Sequence, residues 1–296
     1  MRKFIAGMVV ATVILFNGLV PSQSVQIAPV AVVSILPEGL TIAAHKTGPF
    51  TGPENTVQGI HLAKAADPGL TWEEIDIRWN KSNFPVAMHD ATVDRTTNKT
   101  GLLNTWYLSE TNLMNAADYA PWNIDPRFDP NANGTFPVKV PYAWDIMNAA
   151  NSAGVNLVLD VKEVPTQFQA DKLYEYLTRF AYVDNVIYMS SVAGVTAMRS
   201  FHSDLVFAVI EYPPTGRMYT ASYLVSLGVS MYAVNITRIE DAEFVKYYHD
   251  NNVKVLTWTS DSSDQDSLVN WIKAQTSKVD LLITNQSTAA RLALLP

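Results

Sequence analysis

The feature that most restricts how this chain can fold is a repeated alternation of short apolar β-type runs with segments of helical spacing. The runs with strand character are Leu40–Ala44, Thr71–Asp76, Val86–Met88, Asn156–Val161, Asn185–Met189, Leu205–Val209, Met231–Val234, Val253–Thr257 and Leu281–Thr284. Between many of them apolar residues recur at helical spacing: Val57, Ile60 and Leu62 in Thr56–Ala66, and Phe168, Leu173, Tyr176 and Leu177 in Gln167–Phe180. Ala242–His249 and Ser267–Ala274 follow the same pattern. Strands that alternate with helices imply a parallel sheet, because parallel neighbours need a long crossover between them. About eight such units in ~250 residues suit a closed (β/α)8 TIM-type barrel better than an open doubly wound sheet. No Gly-x-Gly-x-x-Gly follows the first strand, which weakens a dinucleotide fold. The nine candidate strands exceed a barrel's eight, and the Asp76–Val86 link is short for a helical crossover. Either a helix is missing there, or one of these strands lies outside the barrel.

Residues 92–141 interrupt the rhythm. They are rich in Asn, Asp, Pro and Thr, with Asn131-Ala132-Asn133-Gly134 as a turn cluster. A small insertion after the third strand is expected here, with a fold of its own or a role as a lid, since a structureless loop of roughly 50 residues is uncommon.

The N-terminus reads as a signal peptide over residues 1–24, followed by the barrel over 25–296. Arg2 and Lys3 precede an apolar run from Phe4 to Phe16, and Pro21-Ser22-Gln23-Ser24 offers small residues at cleavage spacing. An uncleaved anchor is the alternative, but Asn17 and Pro21 break the run before the ~18 apolar residues that a span requires. The expected location is therefore secreted or periplasmic, with no stable membrane span once the leader is removed. The chain has no Cys, which excludes a thiolate nucleophile, a Cys-zinc site and a disulfide scaffold. Its net charge of -7 becomes -9 without Arg2 and Lys3, a poor basis for nucleic-acid binding. An anionic substrate would need local cations to overcome that field: a metal ion, or a few placed Lys and Arg.

The informative polar residues stand where apolar strands end. Thr41–Ala44 runs into His45; Glu74-Ile75-Asp76 closes the second run; Val86-Ala87-Met88 leads to His89-Asp90; Leu157-Val158-Leu159 leads to Asp160-Val161-Lys162; Val255-Leu256-Thr257 ends at Trp258. In a barrel the strand C-termini open on the one face that carries chemistry. Side chains two apart share a face, so Glu74 and Asp76 point together, as do Asp160 and Lys162. Crowded carboxylates require a cation or a shifted pKa, and an oxygen-rich cluster without Cys suits one divalent ion, Ca2+ or Mg2+. The plainer alternative is ion pairing of Asp160 with Lys162 or Arg78. His45 and His89 can supply the base and the acid that a phosphodiester needs. His61, His202 and His249, in helical or loop context, read as structural.

These stretches resemble the glycerophosphodiester phosphodiesterases. The likeness rests on His45-Lys46-Thr47-Gly48, Pro53-Glu54-Asn55-Thr56, Glu74-Ile75-Asp76-Ile77-Arg78, Pro85-Val86-Ala87-Met88-His89-Asp90 and Asp94-Arg95-Thr96-Thr97-Asn98. It continues through Asn156–Lys162, Val255–Thr259 and Asp280–Asn285. The resemblance implies a barrel with an insertion after the third strand and a divalent ion held by Glu74, Asp76 and Asp160. It implies His45 and His89 as general acid and base, with Lys46, Lys162 and Glu54 binding or orienting the phosphate and its metal. Trp258 would line the pocket beside the glycerol. The expected substrate is a small-molecule glycerophosphodiester. The chain departs from the family pattern at Lys46, where Arg is usual, at Asp160, where Glu is usual, and at Asn285, where Asp is common. Two alternatives accompany this reading: a lipid-cleaving barrel similar to sphingomyelinase D, and a barrel that only binds a phosphorylated ligand.

Secreted material should begin near residue 25. N-terminal sequencing that returned an intact Met1 would reject the cleaved leader.

Overall fold

Strand β2 (Trp72–Trp79) is the longest strand among the described residues. The computed structural model describes residues 35–128, 138–210, 218–239, 242–259 and 278–294. The expected leader over residues 1–24, the Asn131–Gly134 turn cluster and the Ser267–Ala274 segment lie outside the described residues. On one side β2 pairs in parallel with β1 (Thr41–Ala44), on the other with β4 (Asn156–Val161). The sheet continues in parallel through β5 (Val186–Ser190), β6 (Val206–Ile210), β7 (Met231–Asn235) and β8 (Lys254–Trp258) to β9 (Leu281–Thr284). Pairing of β9 with β1 closes an eight-stranded barrel.

The ninth strand, β3 (Pro85–Ala87), is the one outside the barrel. It pairs antiparallel with the end of β2, Trp79 facing Pro85 and Ile77 facing Ala87. A tight turn makes this possible. The Asn80 side-chain oxygen accepts from the backbone N–H of Ser82 and of Phe84, and Asn83 takes φ 60°. The short Asp76–Val86 link is thus a hairpin, and no helix is missing from it. Helix α1 (Val57–Ala66) joins β1 to β2, and the crossover from β2 to β4 is completed instead by α3 (Ala143–Ala153), after the short α2 (Leu108–Thr111). Helices α4 (Gln167–Arg179), α5 (Val192–Phe201), α6 (Ala221–Ser226), α7 (Ala242–His249) and α8 (Ser287–Leu292) follow later strands. Side-chain oxygens of Thr56, Thr166, Ser191 and Thr220 accept from backbone N–H groups in the first turns of α1, α4, α5 and α6, satisfying donors that have no partner within the helix.

The three largest apolar clusters among the described residues follow from this topology. Ala43, Trp72, Val158, Ile187, Met189, Met231 and Leu281 belong to the one that fills the barrel. Ile75, Ile77, Leu157, Leu159, Tyr188 and Tyr232 belong to the layer between strands and helices. Val86, Met88, Val93, Leu103, Met114, Trp122 and Phe128 form a separate small core for the segment after β3. That segment also has bridges Thr92–Leu102 and Asn115–Lys139. The strands are therefore buried on both faces, as parallel barrel strands must be.

Glu73 is a polar exception in the outer layer. It follows Trp72 and shares the outward face with Ile75 and Ile77. The side chain is fully buried, and neither carboxyl oxygen has a hydrogen-bond partner. Burial pushes its pKa up to about 8 from the ordinary 4.5, with Lys64 opposing weakly. Between these two values the folded chain keeps a proton that the unfolded chain has lost. Stability contributed by this group is complete below pH 4.5 and falls as pH rises toward 8. Glu73→Met should stabilise the protein by on the order of a few kcal/mol at pH 8 and less at pH 5. Chemical denaturation at the two pH values checks this; an equal gain at both would reject it.

Candidate active site

At the end of β1 the chain enters a tight turn, His45–Thr47, in which Lys46, Thr47 and Gly48 all have positive φ, of 48°, 63° and 75°. For the two non-glycine residues this conformation is unfavourable by about 1 kcal/mol or more each. The turn is held by Gly48 N–H donating to His45 O at 2.8 Å and by Asn55 N–H donating to Lys46 O at 2.9 Å. Gly59 of α1 packs beneath it. A Cβ there would fall 2.1 Å from Thr47 Oγ1 and 2.8 Å from Pro53 O. The result of this local strain is directional: the Lys46 backbone N–H donates to Glu74 Oε2 at 2.9 Å.

Glu74 and Asp76 point into the barrel mouth from β2, and the register places Asp160 of β4 directly beside Asp76. One ligand atom from each of these three carboxylates lies within 4.8 Å of the others, and all three residues are buried. Lys162 Nζ lies 2.7 Å from Asp76 Oδ1 and 2.5 Å from Asp160 Oδ2. The pairing of Asp160 with Lys162 is therefore present, while Arg78 turns elsewhere, to the His89 carbonyl at 2.7 Å and to Glu163 at 2.8 Å. Asn55 fixes Asp76: its amide donates to Asp76 Oδ2 at 2.7 Å and its carbonyl accepts from Asp76 N–H at 3.0 Å.

Burial pushes the Glu74 carboxyl well above its usual range, and the charges of Asp76 and Asp160 push it further, against Lys162 and the Lys46 N–H. Asp76 is also pushed up by burial, but Lys162, His89, Lys46 and His45 outweigh that and hold it below its usual range. The cluster is thus short of positive charge at Glu74. All of its candidate ligands are hard carboxylate oxygens. Both facts fit a divalent ion of the Ca2+ or Mg2+ type, so Glu74, Asp76 and Asp160 could hold one.

The histidines flank this cluster with different partners. His45 Nδ1 lies 2.6 Å from Asn285 Oδ1, an atom that can only accept, so Nδ1 carries the hydrogen. Its Nε2 lies 3.8 Å from Glu74 Oε2. Burial, aided by Lys46, lowers the pKa of His45 to about 4, leaving the ring neutral near pH 7. His89 comes from the turn after β3, not from a barrel strand. Its Nδ1 meets Asp90 Oδ1 at 2.7 Å.

A pocket of about 180 Å³ opens here, lined by His45, Lys46, Glu74, His89, Asp160, Lys162 and Trp258, with Met189, Ile210, Thr259 and Ile283 among its other walls. It is smaller than the ~300–1,000 Å³ usual for drug-sized ligands and suits a small polar group. Of the residues singled out in the sequence, Asp76 joins through Lys162 and Asn55. Glu54 is turned aside, its carboxylate engaged by both terminal nitrogens of Arg95 at 2.7 and 2.8 Å. Asn55 and Arg95 were not singled out as site residues. In the sequence Asn55 stands within Pro53–Thr56 and Arg95 within Asp94–Asn98, and the structure gives Asn55 a left-handed φ of 55°.

Fold and centre together define a (β/α)8 barrel with a carboxylate, lysine and histidine centre at its strand C-termini. The model of the glycerophosphoryl diester phosphodiesterase family matches residues 45–288, and the chain belongs to that family. Glycerophosphodiester phosphodiesterase 1 of Homo sapiens is 45% identical over 64 residues, 22% of this chain and 19% of that relative. The chain's match thus spans about a fifth of that relative's length. A crystal structure of a glycerophosphodiester phosphodiesterase from Agrobacterium tumefaciens superposes with TM-score 0.69 at 18% identity, covering 86% of this chain and 100% of that one. A phosphodiesterase of Oleispira antarctica, in complex with the product sn-glycerol-3-phosphate, superposes with TM-score 0.70 at 19% identity, covering 88% of this chain and 98% of that one. At such identities the superpositions show a common fold. Among the described residues, no helix is long and apolar enough to cross a membrane.

Added Ca2+ or Mg2+ should raise the thermal midpoint, with about 2.7 kcal/mol of stabilisation at a hundredfold excess over Kd. Glu74→Gln should abolish that rise. Differential scanning calorimetry with and without EDTA gives the answer, and an unchanged rise in the variant would remove Glu74 from the ligand set.

Proposed function

We propose that this protein hydrolyses glycerophosphodiesters to glycerol 3-phosphate and an alcohol, with His45 and His89 as the proton-transfer pair. The observation that carries the reading is that both rings line one small pocket with Lys46, Lys162, Glu74 and Asp160. Family membership and the product held by the Oleispira antarctica phosphodiesterase support the same substrate class.

The chemistry requires one P–O bond to form and another to break. With hydrogen on Nδ1, His45 presents the lone pair of Nε2 and takes the proton of the attacking hydroxyl, from water or from the substrate's own 2-hydroxyl. Attack by the 2-hydroxyl gives a cyclic phosphate that water then opens. His89, with Asp90 Oδ1 2.7 Å from its Nδ1, donates a proton to the departing alkoxide. Lys46 and Lys162 set positive charge against the non-bridging oxygens. A divalent ion held by Glu74, Asp76 and Asp160 would supply further charge against the phosphoryl oxygens. Lys46 offers a point charge where a guanidinium would offer a two-pronged hydrogen bond, so phosphate orientation falls more heavily on the rest of the pocket.

The test is release of glycerol 3-phosphate from glycerophosphocholine by the mature protein, with EDTA and with Ca2+ or Mg2+ restored. Turnover should require the metal and fall by about 100-fold or more in His45→Ala and in Glu74→Ala. Turnover of lipid vesicles alone, with glycerophosphocholine untouched, would reassign the substrate. No turnover of any phosphodiester by the folded, metal-loaded protein would leave a binding role.

A further inference from the structure

We infer that Asp90, Arg95 and Glu54 are positioning residues for His89, forming a relay that sets the ring's orientation and fixes its hydrogen on Nδ1. The inference rests on the proposed role of His89 at the reacting phosphate.

Each link is geometric. Asp90 divides its carboxylate, Oδ1 taking His89 Nδ1 at 2.7 Å and Oδ2 accepting from Arg95 Nε at 2.5 Å. Arg95 then uses both terminal nitrogens on Glu54, at 2.8 and 2.7 Å. All three of its nitrogens are engaged, so the guanidinium plane is fixed from two directions. Glu54 is itself anchored: its side chain is buried, and its backbone N–H donates to the Tyr119 hydroxyl at 2.8 Å. The His89 backbone is pinned separately, its carbonyl accepting from Arg78 of β2 at 2.7 Å. The ring is therefore held through Asp90 and the main chain through Arg78.

A purely stabilising role explains this arrangement poorly. The Arg95 side chain is 45% exposed and Asp90 29% exposed. The Asp90–Arg95 pair at such exposure contributes little to stability, typically under about 1 kcal/mol, whereas the pair with buried Glu54 holds the guanidinium in place. What the arrangement does supply is direction. A carboxylate on Nδ1 requires hydrogen there and leaves Nε2 as the nitrogen available to the pocket. Among the described residues Arg95 is the partner of Asp90 Oδ2, and without it that carboxylate is free to rotate away from the ring. The Asp90 pKa agrees: burial raises it, but hydrogen bonds from Arg95 and His89 outweigh burial and lower it.

The relay is tested on the full mature protein by imidazole 15N NMR, with the His89 signals assigned by their loss in His89→Ala. In the parent, the neutral His89 ring should carry hydrogen on Nδ1 alone. Asp90→Asn, which keeps the shape, and Arg95→Ala should both give a mixture of tautomers, and Arg95→Lys should recover part of the parent signal. Kinetics on glycerophosphocholine supply the second readout. Both variants should lose about 10- to 100-fold in kcat with KM changed less than about threefold, and Arg95→Ala should cost nothing further in a His89→Ala background. Unchanged His89 signals in Asp90→Asn and Arg95→Ala would overturn the relay, as would a loss confined to KM. If the parent turns over no phosphodiester while the NMR behaves as expected, the catalytic reading fails and the relay stands.

Discussion

Three carboxylates buried side by side are the constraint on which the rest of this structure depends. Glu74, Asp76 and Asp160 meet because β2 and β4 are adjacent, parallel and in a register that pairs Asp76 with Asp160. Mutual repulsion in a low-dielectric mouth has to be met by nearby cations and donors, and several surrounding features do so. Lys162 lies between two of the acids, Asn55 fixes one of them, and the left-handed turn at Lys46 aims a backbone N–H at the third. The strain in that turn is explained by its target. A relaxed loop after β1 would deprive Glu74 Oε2 of the Lys46 N–H.

The same constraint accounts for the difference between the two histidines. His45 is enclosed beside the cations that serve the carboxylates, so burial and Lys46 both favour its neutral form, and its ring partner is an amide. His89 approaches from outside the barrel and has a carboxylate for its partner. An Asp at position 285 would pair both rings with carboxylates and leave less to distinguish them. Asn285 makes the asymmetry sharper.

Much of this was legible in the sequence, for identifiable reasons. Barrel strands buried on both faces read as short apolar runs, so β4 and β9 were recognisable residue for residue. The two-residue spacing of Glu74 and Asp76, and of Asp160 and Lys162, marked shared faces, since strand geometry leaves no other choice. What stayed hidden is non-local or without direction. Val86-Ala87-Met88 looks the same whether it pairs parallel or antiparallel, and the deciding signal was the Asn80–Phe84 turn. Arg95 and Glu54 are 41 residues apart, and His45 and Asn285 are 240 apart. No local pattern announces such pairs.

The hairpin that carries β3 has a mechanical meaning for how such a protein can change. His45 is mounted on the barrel wall, and altering its support means altering a strand on which closure depends. His89 is mounted on a bracket that leaves the wall at Trp79, folds back antiparallel and runs into a segment with an apolar core of its own. The two halves of the proton-transfer pair therefore have separate foundations. Mutations that remodel the segment after β3 can shift or retune one ring while the barrel and the other ring stay in place. Substrate preference can then drift through the bracket without putting the scaffold at risk.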